Sequence, residues 1–371
     1  MSSEPRASGP RESNASAGPP PVPGLPPERG LSPVPGLPLE PGPPPVPGLS
    51  PERGLPPLPA PSLASALPPV PARPPLRSLL FVPGTRTDWL PKARAAGADA
   101  VILDLEDAVP RDGKAAARDQ VAEAVAGAAA DPGGPALLVR VNPLDGWAAA
   151  GELRAVARPG LSGIVLPKVD GAHDVRFADR LLDWCEREQG LPPGTIALVP
   201  LLETARGLRD AHDCAAAAAR VAYPGAITGA GGDVERAVGY RWSPQGAETH
   251  ALRSRVLLDV RAAGAPHPVA GLWTRIGDLE GLRSFAEQNR SLGYTGMMAI
   301  HPSHVPVINE VFSPHPDELA RAARLIAAVE EAQARGAGAA IFEGEMVDEA
   351  MAATARLLLK RHSVPDPGGR T

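Results

Sequence analysis

From Leu76 onward, short continuous apolar runs alternate with longer alanine-rich helical stretches, and this alternation restricts the fold more than any other feature. The strand-like runs are residues 78–82, 100–105, 136–141, 163–167, 196–201, 220–228, 268–272 and 296–300, with helix-like spans at 113–130, 171–189, 204–219, 245–263 and 278–292. A strand that is apolar at nearly every position is buried on both faces, as in a parallel sheet covered by helices. Eight such units suit an α/β chain closed into a (β/α)8 TIM barrel, expected over residues 76–335, better than an open doubly wound sheet. The sixth and seventh runs are the weakest strands, because Pro224 and Gly225 interrupt one while Pro266 and Pro268 crowd the other.

More than half of the 47 prolines precede Leu76. There the segment Pro-Val-Pro-Gly-Leu starts at Pro21, Pro33 and Pro45, a twelve-residue spacing. Proline removes backbone donors, and the segment has too few large apolar side chains to offset the entropy of ordering, so residues 1–75 are expected to form a disordered tail. Recognition of that tail as polyproline II by a partner is the alternative. Residues 363–371 read as a frayed end.

Several function classes fall away. No run of about 18 apolar residues suggests a membrane span. Met1 to Pro5 lack the cationic start and apolar stretch of a secretory signal. Cys185 and Cys214 are too few for a disulfide framework or a multi-cysteine zinc site, so a cytoplasmic protein is expected, with both residues used for packing. A net charge of −5 without a basic cluster gives no nucleic-acid footprint.

In such barrels chemistry sits at the C-terminal ends of the strands. There the sequence offers Pro83-Gly84, then Asp104, Glu106 and Asp107, then Arg140 and Asn142, Lys168, Glu203, Asp233 and finally His301. Glu203 and Asp233 could hold Mg²⁺ with water and a chelating substrate. Alternatively Glu203 caps the helix that starts at Thr204, and Asp233 ends the glycine-rich turn 229–232, which could also meet a phosphate. Lys168 could form a Schiff base if its pKa were lowered, or pair with Glu106, Asp104 or Glu203. Arg140 suits a substrate carboxylate or the acids of the second strand. His301 and His304 either act in the site or fix a loop.

Ser78-Leu79-Leu80-Phe81-Val82-Pro83-Gly84, Asp104-Leu105-Glu106-Asp107-Ala108-Val109, Val139-Arg140-Val141-Asn142, Leu166-Pro167-Lys168, Leu202-Glu203-Thr204 and Ile300-His301-Pro302-Ser303 occur in order, followed by Phe312-Ser313-Pro314 and Glu343-Gly344-Glu345-Met346-Val347-Asp348. Together they resemble the citrate lyase β-subunit-like branch of the HpcH/HpaI aldolase family, from about Arg77 to Arg361. The resemblance implies a Mg²⁺-dependent enzyme, with Mn²⁺ as a substitute, that makes or breaks a carbon–carbon bond between a coenzyme A thioester and a 2-oxo acid. It assigns Glu203 and Asp233 to the metal and Arg140 to the substrate. Phe81, Pro83, Gly84, Lys92, Ile300 and His301 would contact the acyl-CoA or the acid. Asp348 would be the catalytic acid/base, carried by a C-terminal lid over 336–362 into a neighbouring subunit's site, in a homotrimer or hexamer.

Two departures from the family pattern stand out: alanine at position 230, where relatives carry glycine ahead of the metal-ligating aspartate, and the proline-rich tail. Thioester hydrolysis at the same site, a Schiff-base aldolase using Lys168, and a non-catalytic acyl-CoA-binding subunit are the rival readings.

Overall fold

The computed structural model describes residues 73–131 and 133–363, all within one compact unit. The proline-rich tail with its repeats, up to residue 72, and residues 364–371 lie outside the described residues. Eight parallel strands form the central sheet: β1 (Ser78–Pro83), β2 (Ala100–Asp104), β3 (Ala136–Arg140), β4 (Leu161–Leu166), β5 (Ala197–Pro200), β6 (Gly225–Ala226), β7 (Val269–Ala270) and β8 (Gly296–Ala299). The strand order β5-β4-β3-β2-β1-β8-β7-β6 is that of a barrel. Parallel bridges Leu198↔Val221 and Leu201↔Gly225 join its two edges.

Alternation along the strands sorts the apolar side chains into two cores. Leu79, Ile102, Leu138, Val165, Val199 and Met298 fill the barrel interior. Their neighbours Leu80, Val101, Leu103, Val139, Ile164 and Leu198 face the helices. These helices are α1 (Leu90–Ala95), α2 (Lys114–Ala128), α3 (Trp147–Val156), α4 (Ala172–Glu188), α5 (Ala205–Arg209), α6 (Ala211–Ala216), α7 (Asp233–Val238), α8 (Ala247–Ala262), α9 (Leu279–Leu292) and α10 (His304–Phe312). Burial of Val175, Ala178, Leu182 and Cys185 on α4 shows the helical period that docks each one.

The sixth and seventh strands shrink to two residues each, since the prolines beside them cannot donate to a ladder. The expected helix 204–219 breaks at Asp210 into α5 and α6. Beyond the barrel come α11 (Pro316–Ala334), an antiparallel hairpin of β9 (Ala339–Phe342) and β10 (Glu345–Asp348), and α12 (Glu349–Ser363). Ala322, Leu325, Val329, Val347, Ala352 and Ala355 give these elements a hydrophobic core of their own. Alpha-11, expected as part of the barrel, thus packs with the C-terminal elements.

Candidate active site

Asp104 and Arg140 are register partners at the ends of β2 and β3. The guanidinium Nε and Nη2 each donate to an Asp104 oxygen at 2.7 Å. Asp104 also accepts the N–H groups of Glu106 at 2.8 Å and Ala108 at 3.1 Å. This bidentate pair meets the cost of burying a charge in an apolar strand. Of the two uses the sequence leaves open for Arg140, the inner edge of its fork takes the second-strand acid. Its Nη1 lies 3.0 Å from Glu106 and 3.4 Å from Asp107. The Phe81 ring lies 5.0 Å beneath the guanidinium. Burial would lower the Arg140 pKa, but hydrogen bonding to Asp104 and the charges of Asp104, Glu106 and Asp107 raise it, so it is a fixed cation.

Lys168, just past β4, has φ of 51°, one of two positive values for non-glycine residues among the described residues. Its N–H donates to Glu203 Oε1 at 2.7 Å, and its Nζ pairs with Glu106 and lies 3.7 Å from Asp107. Burial lowers its pKa, yet the hydrogen bond to Glu106 and the charges of Glu106, Asp107 and Glu203 carry it above the ordinary lysine value. The ion pair with Glu106 is the alternative the sequence offers for Lys168, and the raised pKa runs against the lowered one that a Schiff-base lysine requires.

The neighbouring residues repeat this cross-link. Thr204 Oγ1 donates to Val169 O at 3.0 Å and accepts the Gly207 N–H at 2.9 Å, capping α5. Position 207 must be glycine, because a Cβ there would lie 2.2 Å from Val169 O. Thr204, and not Glu203, is therefore the cap, a correction to the capping alternative. Glu203 is buried, and among the described residues its Oε2 accepts no hydrogen bond. Burial pushes its carboxyl up to about 6 against the opposing Lys168 N–H and Arg140 charge. Glu106 is likewise raised by burial, against the pull of Lys168 and Arg140.

The sequence singles out Asn142 but not Lys114 and Glu152, which hold it. Lys114 Nζ donates to the carbonyls of Leu105 at 2.7 Å and Glu106 at 2.5 Å and to Asn142 Oδ1 at 2.9 Å. Buried Glu152 accepts the Asn142 N–H at 2.8 Å and its Nδ2 at 2.6 Å. The visible signal was a lysine among only four in the chain. Beside Lys168, a hollow of about 260 Å³ opens between the loops after β3 and β4, lined by Leu144, Asp145, Pro167 and Asp170.

Asp233 opens α7 instead of ending the glycine-rich turn, and its carboxylate pairs with Arg236. Glu235 clamps the turn by accepting the N–H groups of Gly231 at 2.5 Å and Trp242 at 3.3 Å. Among the described residues, no three His, Cys, Asp or Glu side chains gather as a metal cage. The residues nevertheless fit Mg²⁺, which keeps several waters and is held by one or two carboxylates. Glu203 offers, on a buried side chain, an oxygen that no donor takes among the described residues, and the Asp233 carboxylate is paired there with an exposed arginine, an interaction of the kind worth little.

Of the other expected contacts, Pro83 is the register partner of Asp104, and Gly84 is buried where a Cβ would lie 2.8 Å from Asp104 O. Gly84 therefore serves close packing of the strand ends. Lys92 is exposed on α1, 5.9 Å from the Trp89 ring, over which Arg86 lies at 4.2 Å. Ile300 is partly exposed past β8. His301 Nδ1 engages Ser303 Oγ at 2.7 Å, leaving Nε2 for a ligand. His304 is buried against Ile276 O at 3.3 Å with its pKa lowered by burial, and so fixes the loop. Asp348, at the end of β10, caps α12 by accepting the Met351 N–H at 3.1 Å. It forms no hydrogen bond or ion pair with a rim residue among the described residues.

Residues 77–302 match the profile of the HpcH/HpaI aldolase/citrate lyase family. The citrate lyase subunit beta-like protein of Deinococcus radiodurans is 38% identical over 294 residues, covering 78% of this chain and 98% of that protein. The (3S)-malyl-CoA thioesterase of Cereibacter sphaeroides is 36% identical over 285 residues, covering 77% and 94%. Among solved structures, the protein CitE of Mycobacterium tuberculosis, in complex with magnesium, acetoacetate and coenzyme A, superposes with a TM-score of 0.60 at 30% identity, over 77% of this chain and 98% of that one. A closed parallel barrel with carboxylates, an arginine and a lysine gathered on its C-terminal rim, matched over most of its length, makes this chain a member of the HpcH/HpaI aldolase/citrate lyase family.

Proposed function

We propose that the chain is a Mg²⁺-dependent carbon–carbon lyase that cleaves a 3-hydroxyacyl-CoA acid of the malyl-, citramalyl- or citryl-CoA type, reversibly, to an acyl-CoA and a 2-oxo acid. The observation that carries this reading is Glu203, a buried carboxylate with an undonated oxygen beside a fixed Arg140. CitE's ligands, magnesium with acetoacetate and coenzyme A, support the choice of metal and of a coenzyme A ester substrate.

Mg²⁺ held by Glu203 and Asp233 would supply Lewis-acid polarisation of the hydroxyl and carboxylate of the acid. Arg140, with its fork anchored on Asp104, would offset the substrate carboxylate through Nη1, which it shares with Glu106 at 3.0 Å and Asp107 at 3.4 Å. Phe81 floors that guanidinium, while Lys92 and the Ile300–His301 turn line the rim for the thioester. As the bond between the hydroxyl carbon and the thioester α-carbon breaks, the hydroxyl loses its proton to water and becomes the carbonyl of the 2-oxo acid, the bond electrons pass to the α-carbon, and Asp348 gives that carbon a proton, taking one from it in the condensation direction. The C-terminal elements carry Asp348 as a lid over the site of a neighbouring copy, in a homotrimer or hexamer. Their separate core and the exposed Ile341 and Met346 beside Asp348 support that placement.

The relative named as a (3S)-malyl-CoA thioesterase favours a second reading, in which the thioester is hydrolysed at the same site. Incubating the purified protein with a panel of 3-hydroxyacyl-CoA acids, and following 2-oxo acid and free thiol separately, tests both. Oxo acid release abolished by EDTA is the expected outcome, and accompanying thiol release adds the hydrolytic step. Release that persists in EDTA refutes the metal mechanism.

A further inference from the structure

We propose that Lys168 is a positioning residue with two separable parts: a left-handed backbone that aims its N–H at Glu203, and an ammonium that shares Glu106 with Arg140 Nη1 and so weakens the hold of that carboxylate on the group that would meet the substrate. The inference rests on Glu203 being a metal ligand. At φ of 51° the Lys168 N–H reaches Glu203 Oε1 at 2.7 Å, which settles which oxygen of that carboxylate is left for a cation. The turn is pinned from the same loop on its other side, by Thr204 Oγ1 on Val169 O at 3.0 Å. Two consecutive residues of the loop after β5 thus grip two consecutive residues of the loop after β4.

The ammonium works on the opposite wall. Glu106 is buried between two cations, Lys168 Nζ on Oε1 and Arg140 Nη1 at 3.0 Å from Oε2. Without the ammonium, Glu106 depends on Arg140 alone and competes with a substrate carboxylate for Nη1.

The test compares Lys168→Gly and Lys168→Asn, which accept the left-handed backbone, with Lys168→Val, for which that backbone is an outlier. Mg²⁺ affinity is read by calorimetry on the full-chain protein without substrate, with thermal melts confirming folding. The glycine and asparagine variants are expected to bind Mg²⁺ within about twofold of the parent, and the valine variant about tenfold more weakly. In the condensation direction all three are expected to raise the KM for the 2-oxo acid about tenfold with the acyl-CoA KM unchanged, and Lys168→Arg to restore much of it. Weakening of Mg²⁺ by about tenfold in the glycine and asparagine variants overturns the backbone part, even where the valine variant does not fold. An unchanged oxo acid KM in those variants overturns the ammonium part. A parent protein that binds no Mg²⁺ refutes the metal reading itself, and so is distinguished from either failure.

Discussion

Burial raises the Glu203 carboxyl from an ordinary 4.5 to about 6, so within that window the folded chain holds a proton the unfolded chain has lost. Stability therefore falls as pH rises through the window, by about 2 kcal/mol for a shift of about 1.5 units. Glu203→Gln removes the effect. In EDTA at pH 8 this variant should be about 2 kcal/mol more stable to urea than the parent, a difference that closes below pH 4.5, while Mg²⁺ binding and turnover are lost. Equal stability at pH 8 would contradict the burial argument. Arg140 is the opposite case, since its charge is matched. Arg140→Met strands Asp104 and Glu106 and should cost about 3–5 kcal/mol, whereas Arg140→Lys keeps the charge, loses the fork and should cost less; chemical denaturation separates them. The residue types at both positions were legible as rim chemistry. Their partners were legible only as alternatives, since the sequence offered Arg140 a substrate carboxylate or the second-strand acids, and only the β2–β3 register brings Asp104 alongside it.

The loop after β5 shows how an element boundary serves the site. Thr204 starts α5 and ties it to Val169, and Gly207 lets the two backbones approach. Gly207→Ala must push the helix start off Val169 O, and should cost about 1–3 kcal/mol and weaken Mg²⁺ binding, measured by melting and calorimetry. Unchanged affinity would show that Glu203 is placed independently of α5. The same loop defeated the helix boundary read from periodicity, because an alanine-rich run does not reveal a break at Asp210. The β9–β10 hairpin was also unforeseen. Glu343 and Gly344 take positive φ values of 51° and 86°, as a two-residue hairpin turn requires.

Across the whole molecule, the barrel and the C-terminal elements have separate hydrophobic cores, and the proposed acid/base Asp348 is on one while the proposed metal carboxylates Glu203 and Asp233 are on the other. If the lid serves a neighbouring copy, two inactive variants should complement each other. Glu203→Gln mixed and reassembled with Asp348→Asn should recover about a quarter of parental turnover, since about that fraction of sites pairs an intact rim with an intact lid. No recovery from well-mixed oligomers would place lid and site on one chain. The sequence by itself determined the barrel, because continuous apolar strands require burial on both faces, and it determined the rim chemistry, because charges at strand ends have only that rim to occupy. Only the tertiary structure decided which charge meets which and where the C-terminal core begins. Those contacts join residues far apart in the chain, and strand register, turn conformation and helix packing bring them together where spacing along the sequence does not.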